Sequence, residues 1–316
     1  MKHRLELHLH LDGSLRPETV WDLAVKQGIR LPVNSPEEVR FRMRVPEDCK
    51  TLDEYLERFA LPLLVLQEED AIERVAFELV EDLAKAGLDY AEIRFAPQLS
   101  VKQGLSQNAV TEAAIRGVAR GMEAYPGIRA GLILCCMRGD TNEELNLQTV
   151  DTVKKYLGDI VCAVDIAGAE GQFPTELFKK VFDRANEYQL PMTIHAGEVG
   201  GPDSIRTALS YGTKRIGHGV AAIKDETLIK ELIEKNITLE VCVTSNYHTK
   251  IAKTLADHPI RRLFDAGVKV TVNSDNMTAS DTHLQKELEI LRSVFKFTDK
   301  EIERLQENAW DARFLK

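Results

Sequence analysis

From Tyr90 to Asn273 the chain alternates short, nearly continuous apolar runs with longer stretches of helical period. That rhythm restricts it to a parallel sheet whose crossover helices cover both faces. The runs are Tyr90–Phe95, Ala130–Cys136, Val161–Ile166, Met192–His195, Arg215–His218, Thr238–Val243 and Lys269–Asn273. Helical stretches lie near 108–123, after Thr141-x-x-Glu144, and near 175–188, 203–209, 226–234 and 259–264. Two more close the chain, the second opened by Thr298-x-x-Glu301. An opening strand through Leu5, Leu7, Leu9 and Leu11 brings the strands to eight, the number that closes a (β/α)8 TIM barrel. The open doubly wound alternative lacks a Gly-x-Gly-x-x-Gly after any strand.

The connection from the first strand to the second is long and predicts extra helices. One spans 17–27 with a proline at its start, and a later one runs from about 70 to 85 and ends at Gly87. Ser35-Pro36-Glu37-Glu38 and Thr51-Leu52-Asp53-Glu54 carry capping-box spacing and announce two others. The last of these holds Leu52, Tyr55, Leu56 and Phe59 and meets Pro62, which should end or kink it. Apolar residues at that spacing pack into a core or form a lid over the opening strand. No linker, repeat or low-complexity segment divides the chain, so 1–316 reads as one barrel domain.

Within the opening strand, His8, His10 and Asp12 alternate with leucines and share one face. Two imidazoles at that spacing can converge on one metal ion, or be two half-exposed strand histidines. Gly13 then lets the backbone turn and leaves Asp12 at the strand's end. A barrel keeps its chemistry at the carboxyl ends of its strands, so the other ends decide. The fourth strand ends in Asp165 and Gly168, the fifth in His195-Ala196-Gly197-Glu198, the sixth in His218-Gly219, the seventh in Ser245-Asn246 and the eighth in Ser274-Asp275-Asn276. Four of the eight histidines fall at this rim; His3, His248, His258 and His283 are scattered and read as structural.

Three imidazoles and a carboxylate (His8, His10, His195, Asp275) suit one divalent first-row ion, zinc above all. The fourth strand has no lysine to bridge a pair of ions, which favours a single Zn2+ per chain. Such an ion makes hydroxide available near neutral pH. Glu198, three residues past a ligand, is placed for proton transfer, and His218 to orient the water, take its proton and support developing charge. Taken singly, each has a plainer reading, Glu198 as a helix-start carboxylate and His218 as a packed loop histidine.

Charge and cysteine usage narrow the setting. A net charge of −9 without a basic face excludes a nucleic-acid footprint. No stretch approaches the ~18 consecutive apolar residues of a membrane span, and the first residues lack an apolar signal core. The five cysteines show no Cys-x-x-Cys spacing, and four lie in apolar runs, as buried thiols of a reducing compartment do. A cytoplasmic enzyme is the expectation; the oligomeric state is not legible.

His8-Leu9-His10-Leu11-Asp12-Gly13, His195-Ala196-Gly197-Glu198, Arg215-Ile216-Gly217-His218-Gly219 and Ser274-Asp275 resemble the adenosine deaminase family of the amidohydrolase superfamily. The likeness runs the length of the chain in the family's order, and His-Ala-Gly-Glu is its most specific part. It implies a barrel with one zinc on His8, His10, His195 and Asp275. Glu198 would protonate purine N1, and His218 would activate and position the hydroxide that attacks C6, with loss of ammonia. Gly168 would offer its N–H to N3. Asp12 would bind the ribose 5′-hydroxyl, with His10 also bordering the substrate. Many members carry a second aspartate, reaching N7, where this chain has Asn276.

The expected partner is therefore a small purine nucleoside, adenosine or 2′-deoxyadenosine. Rival readings are adenine, a modified adenosine such as aminodeoxyfutalosine, or a non-catalytic purine-nucleoside-binding barrel. Adenine-specific relatives tend to place Glu where Asp12 stands, and a 5′-phosphate would meet Asp12's charge.

Overall fold

The computed structural model describes residues 3–316. Eight strands are observed: β1 (Leu5–His10), β2 (Tyr90–Phe95), β3 (Arg129–Met137), β4 (Val161–Ala167), β5 (Thr193–Ala196), β6 (Arg215–His218), β7 (Thr238–Val241) and β8 (Lys269–Val272). They pair in parallel as two runs, β1-β2-β3-β4 and β5-β6-β7-β8. Both seams between the runs are bridged. Val164 pairs with Met192 and Leu9 with Asp275, and the Val164 N–H donates to the Pro191 carbonyl at 3.0 Å. The sheet is thus closed, as the eight-unit rhythm predicts.

The first connection carries α1 (Pro17–Gln27), α2 (Pro36–Met43), α3 (Leu52–Leu56), α4 (Ala60–Val65) and α5 (Glu69–Lys85). The crossovers then use α6 (Gln107–Ala124), α7 (Glu143–Tyr156), α8 (Lys179–Glu187), α9 (Pro202–Ser210), α10 (Glu226–Glu234), α11 (Val243–His248) and α12 (Ile260–Asp265). α13 (Leu284–Ser293) and α14 (Asp299–Ala312) end the chain. The main apolar core lies where the outward strand residues Ile93, Leu132, Val164, Ile194, Ile216, Leu239 and Val270 meet residues of the helices such as Val118, Val150, Phe182 and Leu228. Among the described residues no helix is long and apolar enough to cross a membrane.

Three local expectations need correction. Pro62 does not end its helix. The break is a 3-10 turn at Glu57–Phe59, and Pro62 is the third residue of α4, where a missing N–H costs nothing because helix starts leave it unpaired anyway. Thr141 does not cap α7, whose first position is preceded by Asn142 without a side-chain cap. Gly13 is needed for space and not for a left-handed turn: a Cβ there would meet Asn276 Oδ1 at 1.8 Å. The capping boxes at Ser35, Thr51 and Thr298 do receive the N–H three residues on.

The barrel interior is charged. β2 turns Ile93 and Phe95 outward and points Glu92 and Arg94 inward, where both are fully buried. Arg94 donates to Asp165 at 2.7 Å, to Glu240 at 2.7 Å and to the Leu7 carbonyl at 2.6 Å. Arg215 donates to Glu240 at 2.7 Å and Glu92 at 2.5 Å. Two guanidiniums thereby bind three carboxylates drawn from β2, β4 and β7. Removing one partner of such a cluster strands buried charge. Arg94→Leu should cost ~3–5 kcal/mol in denaturant unfolding, whereas Lys179→Ala, which breaks an exposed pair with Asp183, should cost at most about 1 kcal/mol. Equal effects from the two would refute the role given to Arg94.

Candidate active site

His8 and His10 leave β1 side by side, His195 lies in β5, and Asp275 follows β8 at the closing seam. The Asp275 N–H donates to the His8 carbonyl at 2.9 Å and its carbonyl accepts from His10 at 2.7 Å. Main-chain pairing therefore sets the carboxylate against the two imidazoles. Asp275 Oδ1 stands 3.4 Å from His10 Nε2 and 3.6 Å from His8 Nε2, and His10 Nε2 is 3.3 Å from His195 Nε2. Ligands held at 2.0–2.1 Å by a tetrahedral zinc are roughly 3.3–3.4 Å apart, so these spacings match the edges of such a polyhedron. His8 Nε2 is buried without a hydrogen-bond partner among the described residues, as a lone pair kept for a cation would be.

The groups behind the imidazoles reinforce that fit. His8 Nδ1 donates to Glu240 at 2.9 Å, which leaves Nε2 unprotonated, and His195 Nδ1 stands 2.8 Å from Asp165. Carboxylates in this position fix ring orientation and raise ligand basicity. Burial, with Arg94 adding to it, lowers the His8 pKa to about 4, and burial likewise holds His10 well below its ordinary value. Burial alone would raise Asp275, but the imidazoles of His8 and His10 hold it far below the usual carboxylate range. His8, His10 and Asp275 thus suit a divalent ion that binds neutral imidazole and ionised carboxylate; burial would lower His195 too, but the adjacent Asp165 raises it.

Beside this cluster opens a cavity of about 240 Å³ lined by His10, Asp12, Leu52, Tyr55, Leu56, Phe59, Leu63, Ala96, Leu99, Cys135, Met137, Ala167, Gly168, His195, Glu198, His218, Ser245, Asp275 and Asn276. Every residue given a metal, proton-transfer or substrate role is here except His8, which lies buried behind it; of the other strand-end residues, Asp165, Asn246 and Ser274 are buried outside the lining. α3 and α4 supply Leu52, Tyr55, Leu56 and Leu63, with Phe59 between them, so the segment covers the cavity as the lid reading expects. Tyr55 and Phe59 also pack with Val45, Cys49 and Ala279, as the core reading expects. Tyr55 Oη is 2.6 Å from Ser280 Oγ, and Gln172 donates to Asp53 at 2.8 Å. Asp12 keeps one carboxylate oxygen buried and unpartnered, and burial raises its pKa to about 6. Gly168 follows β4 at φ +107°.

Glu198 faces the cavity between Thr249, which donates to it at 3.2 Å, and His218, whose Nε2 is 3.6 Å away. Burial raises the Glu198 pKa, opposed chiefly by His218. His218 and Asp275 both take left-handed backbone, φ +61° and +62°, uncommon for residues other than glycine, although histidine and aspartate tolerate it better than most, and found where a fold over-determines a site.

Glu170 was not singled out by sequence, although it lies two residues past Gly168. Its carboxylate accepts the N–H groups of Gly197, Glu198, Val199 and Gly200 at 2.7–3.0 Å and the Ser204 hydroxyl at 2.5 Å. Burial would raise Glu170, but Arg138 and these donors keep it below the ordinary range. It pins the loop that carries Glu198. Asp165, Glu240 and Asn246 also escaped assignment, because their roles depend on partners from distant strands.

The family model described as adenosine deaminase matches residues 4–316. An adenosine deaminase of Haemophilus ducreyi is 44% identical over 314 residues, covering 98% of this chain and 91% of the relative. One from Clostridium acetobutylicum is 43% identical over 312 residues, covering 98% and 92%. Among solved structures, an adenine deaminase from Arthrobacter aurescens is similar at 29% identity and a TM-score of 0.88, covering 98% of this chain and 93% of that one.

If Glu240 sets the His8 ring, Glu240→Gln should weaken zinc affinity about 10–100-fold, read by competition with a chromophoric chelator. Unchanged affinity would detach Glu240 from the cluster.

Proposed function

The chain belongs to the adenosine deaminase family, and on that premise we propose that it hydrolyses adenosine, and 2′-deoxyadenosine, to the inosine counterpart and ammonia. The observation that carries this reading is a buried carboxyl with raised pKa, Glu198, facing the same cavity as the His8–His10–Asp275 cluster, with His195 Nε2 3.3 Å from His10 Nε2. We take zinc as the ion held by His8, His10, His195 and Asp275; when bound it supplies the Lewis acidity that makes water nucleophilic near neutral pH.

The chain's own groups do the rest. Glu198, whose carboxyl burial shifts toward the protonated form, gives its proton to purine N1 as electron density moves there from C6. Gly168 offers its main-chain N–H to N3, which fixes the plane of the base. His218 borders the carbon under attack and orients the incoming oxygen. The addition at C6 ends with the amino group leaving as ammonia. Asp12 offers its unpartnered oxygen to the ribose 5′-hydroxyl, and the apolar lid side chains exclude bulk water.

Substrate class follows from what lines the cavity. No lysine or arginine is among the lining residues, so a 5′-phosphate would find no counter-charge and would meet Asp12. Adenine is the second reading, favoured by the similarity to an adenine deaminase. It leaves Asp12 without the hydroxyl it is placed to meet. The five cysteines are all unpaired and buried, which supports a reducing, cytoplasmic setting.

Loss of absorbance in the adenine band should be fast with adenosine and slow or nil with adenine and adenosine monophosphate; faster turnover of adenine would overturn the nucleoside assignment. Glu198→Gln should lower kcat ~10²–10⁴-fold with the bound metal retained, and near-normal turnover would remove Glu198 from proton transfer. Asn276 carries an NH₂ donor at every pH, whereas an aspartate there must be protonated before it can donate to N7. We propose that Asn276 reads N7 by this amide. Replacing N7 by carbon should then cost ~1–3 kcal/mol in kcat/KM; equal turnover of adenosine and 7-deazaadenosine would show that it makes no such contact.

A further inference from the structure

His218 is tied through its outer nitrogen to a buried chain of side chains that ends on the backbone. Asn246, in α11, places Nδ2 3.1 Å from His218 Nδ1. Asn246 Oδ1 lies 3.2 Å from His258 Nε2. His258 Nδ1 in turn accepts the main-chain N–H of Ile260, the first residue of α12, at 3.2 Å. All three side chains are buried, and the Phe295 ring packs edge-on against His258.

Only one hydrogen arrangement satisfies this chain, and the backbone dictates it. The Ile260 N–H can only donate, so His258 Nδ1 must be the lone pair and His258 Nε2 must carry the proton. That N–H needs an acceptor, which settles the amide of Asn246 with Oδ1 toward His258 and Nδ2 toward His218. Two N–H groups then meet neither each other nor an empty site only if His218 Nδ1 is a lone pair. The opposite amide orientation would set a donor against the His258 N–H, a buried mismatch that hydrogen-bond pairing in interiors avoids. Burial keeps His258 neutral, its pKa lowered to about 3 with His218 adding to the shift.

We propose that Asn246 and His258 are positioning residues that hold His218 in the tautomer with its hydrogen on Nε2, the nitrogen that faces Glu198 and the metal cluster. In that form His218 presents a donor at the reaction centre and has no lone pair there. It orients the attacking oxygen and supports charge gathering on it; it does not take its proton. That proton passes instead to the Glu198 carboxylate, 3.6 Å from His218 Nε2, once that group has given its own proton to N1, while the remaining hydroxyl proton leaves with the amino group as ammonia. This revises the proton-accepting role read from the sequence. It also moves His258 from the scattered, structural histidines into the support of the site. The catalytic consequence rests on the deaminase reading above; the tautomer itself does not.

The test is ¹⁵N long-range correlation NMR of the zinc-loaded protein with ¹⁵N-histidine, His218 being identified by its loss in His218→Gln. His218 should show a protonated Nε2 and an unprotonated Nδ1; the reverse assignment overturns the proposal. Asn246→Asp keeps the shape but offers only acceptors, so it should invert the tautomer and lower kcat ~10²–10⁴-fold, as expected of a wrongly held catalytic imidazole, with KM and zinc content little changed. His258→Leu should leave the amide free to turn and give both tautomers. If Asn246→Asp inverts the tautomer while kcat holds, the catalytic part fails. If the wild type shows the Nε2–H form but does not deaminate adenosine, the deaminase reading fails and the relay stands.

Discussion

The peptide of Asp275 is hydrogen-bonded into the first strand on both sides, and the rest of the rim depends on that junction. It closes the sheet between the first and last strands. It also carries the carboxylate to within 3.6 Å of imidazoles more than 260 residues earlier in the chain. The left-handed backbone at Asp275 belongs to the same junction. A ligand cluster built this way inherits its dimensions from barrel closure, which side-chain packing alone would hold less tightly. Asn276, the next residue, leans on Gly13, so closing the barrel also shapes the end of the cavity that Asn276 lines.

Beneath the rim, charge takes the place that apolar layers fill in most barrels of this kind. Glu240 accepts from His8, Arg94, Arg215 and Thr193. Burial would push it toward neutrality, but Arg215 and Arg94 hold its pKa well below the ordinary value. Glu240 thus links the guanidinium cluster to His8, as Asp165 links Arg94 to His195. The barrel's interior and the proposed ion's ligands share two carboxylates, neither of them on a loop.

Much of this was legible in the sequence because it is written locally. Apolar runs of strand length, capping spacings and residues at strand ends are short-range signals, and they located eight strands and the residues around the cavity. Boundaries shifted by a residue or two, as at Thr238–Val241, where the run continues as apolar residues of a helix. The illegible parts are pairings. Nothing near Glu240 marks it as the partner of His8, and nothing near His258 marks it as the anchor of His218, because each relation exists only once distant strands are side by side. Thr141 failed for the opposite reason: a good local spacing lost to a helix that starts two residues later. Gly13 was noticed for its flexibility, whereas its missing side chain is what the neighbouring asparagine requires.

The lid is tied to the body at two points of unlike character. Tyr55 is latched to the loop after β8 and Asp53 to the loop after β4, while Leu52, Leu56, Phe59 and Leu63 turn toward the cavity. Leu52, Leu56, Phe59 and Leu63 are only half-buried where they stand, so lifting the segment wets part of each, a fraction of the about 1.5–3 kcal/mol that full exposure of a large apolar side chain costs. The way into the cavity thus runs past fourteen residues, Leu52–Val65, that belong to no strand of the barrel.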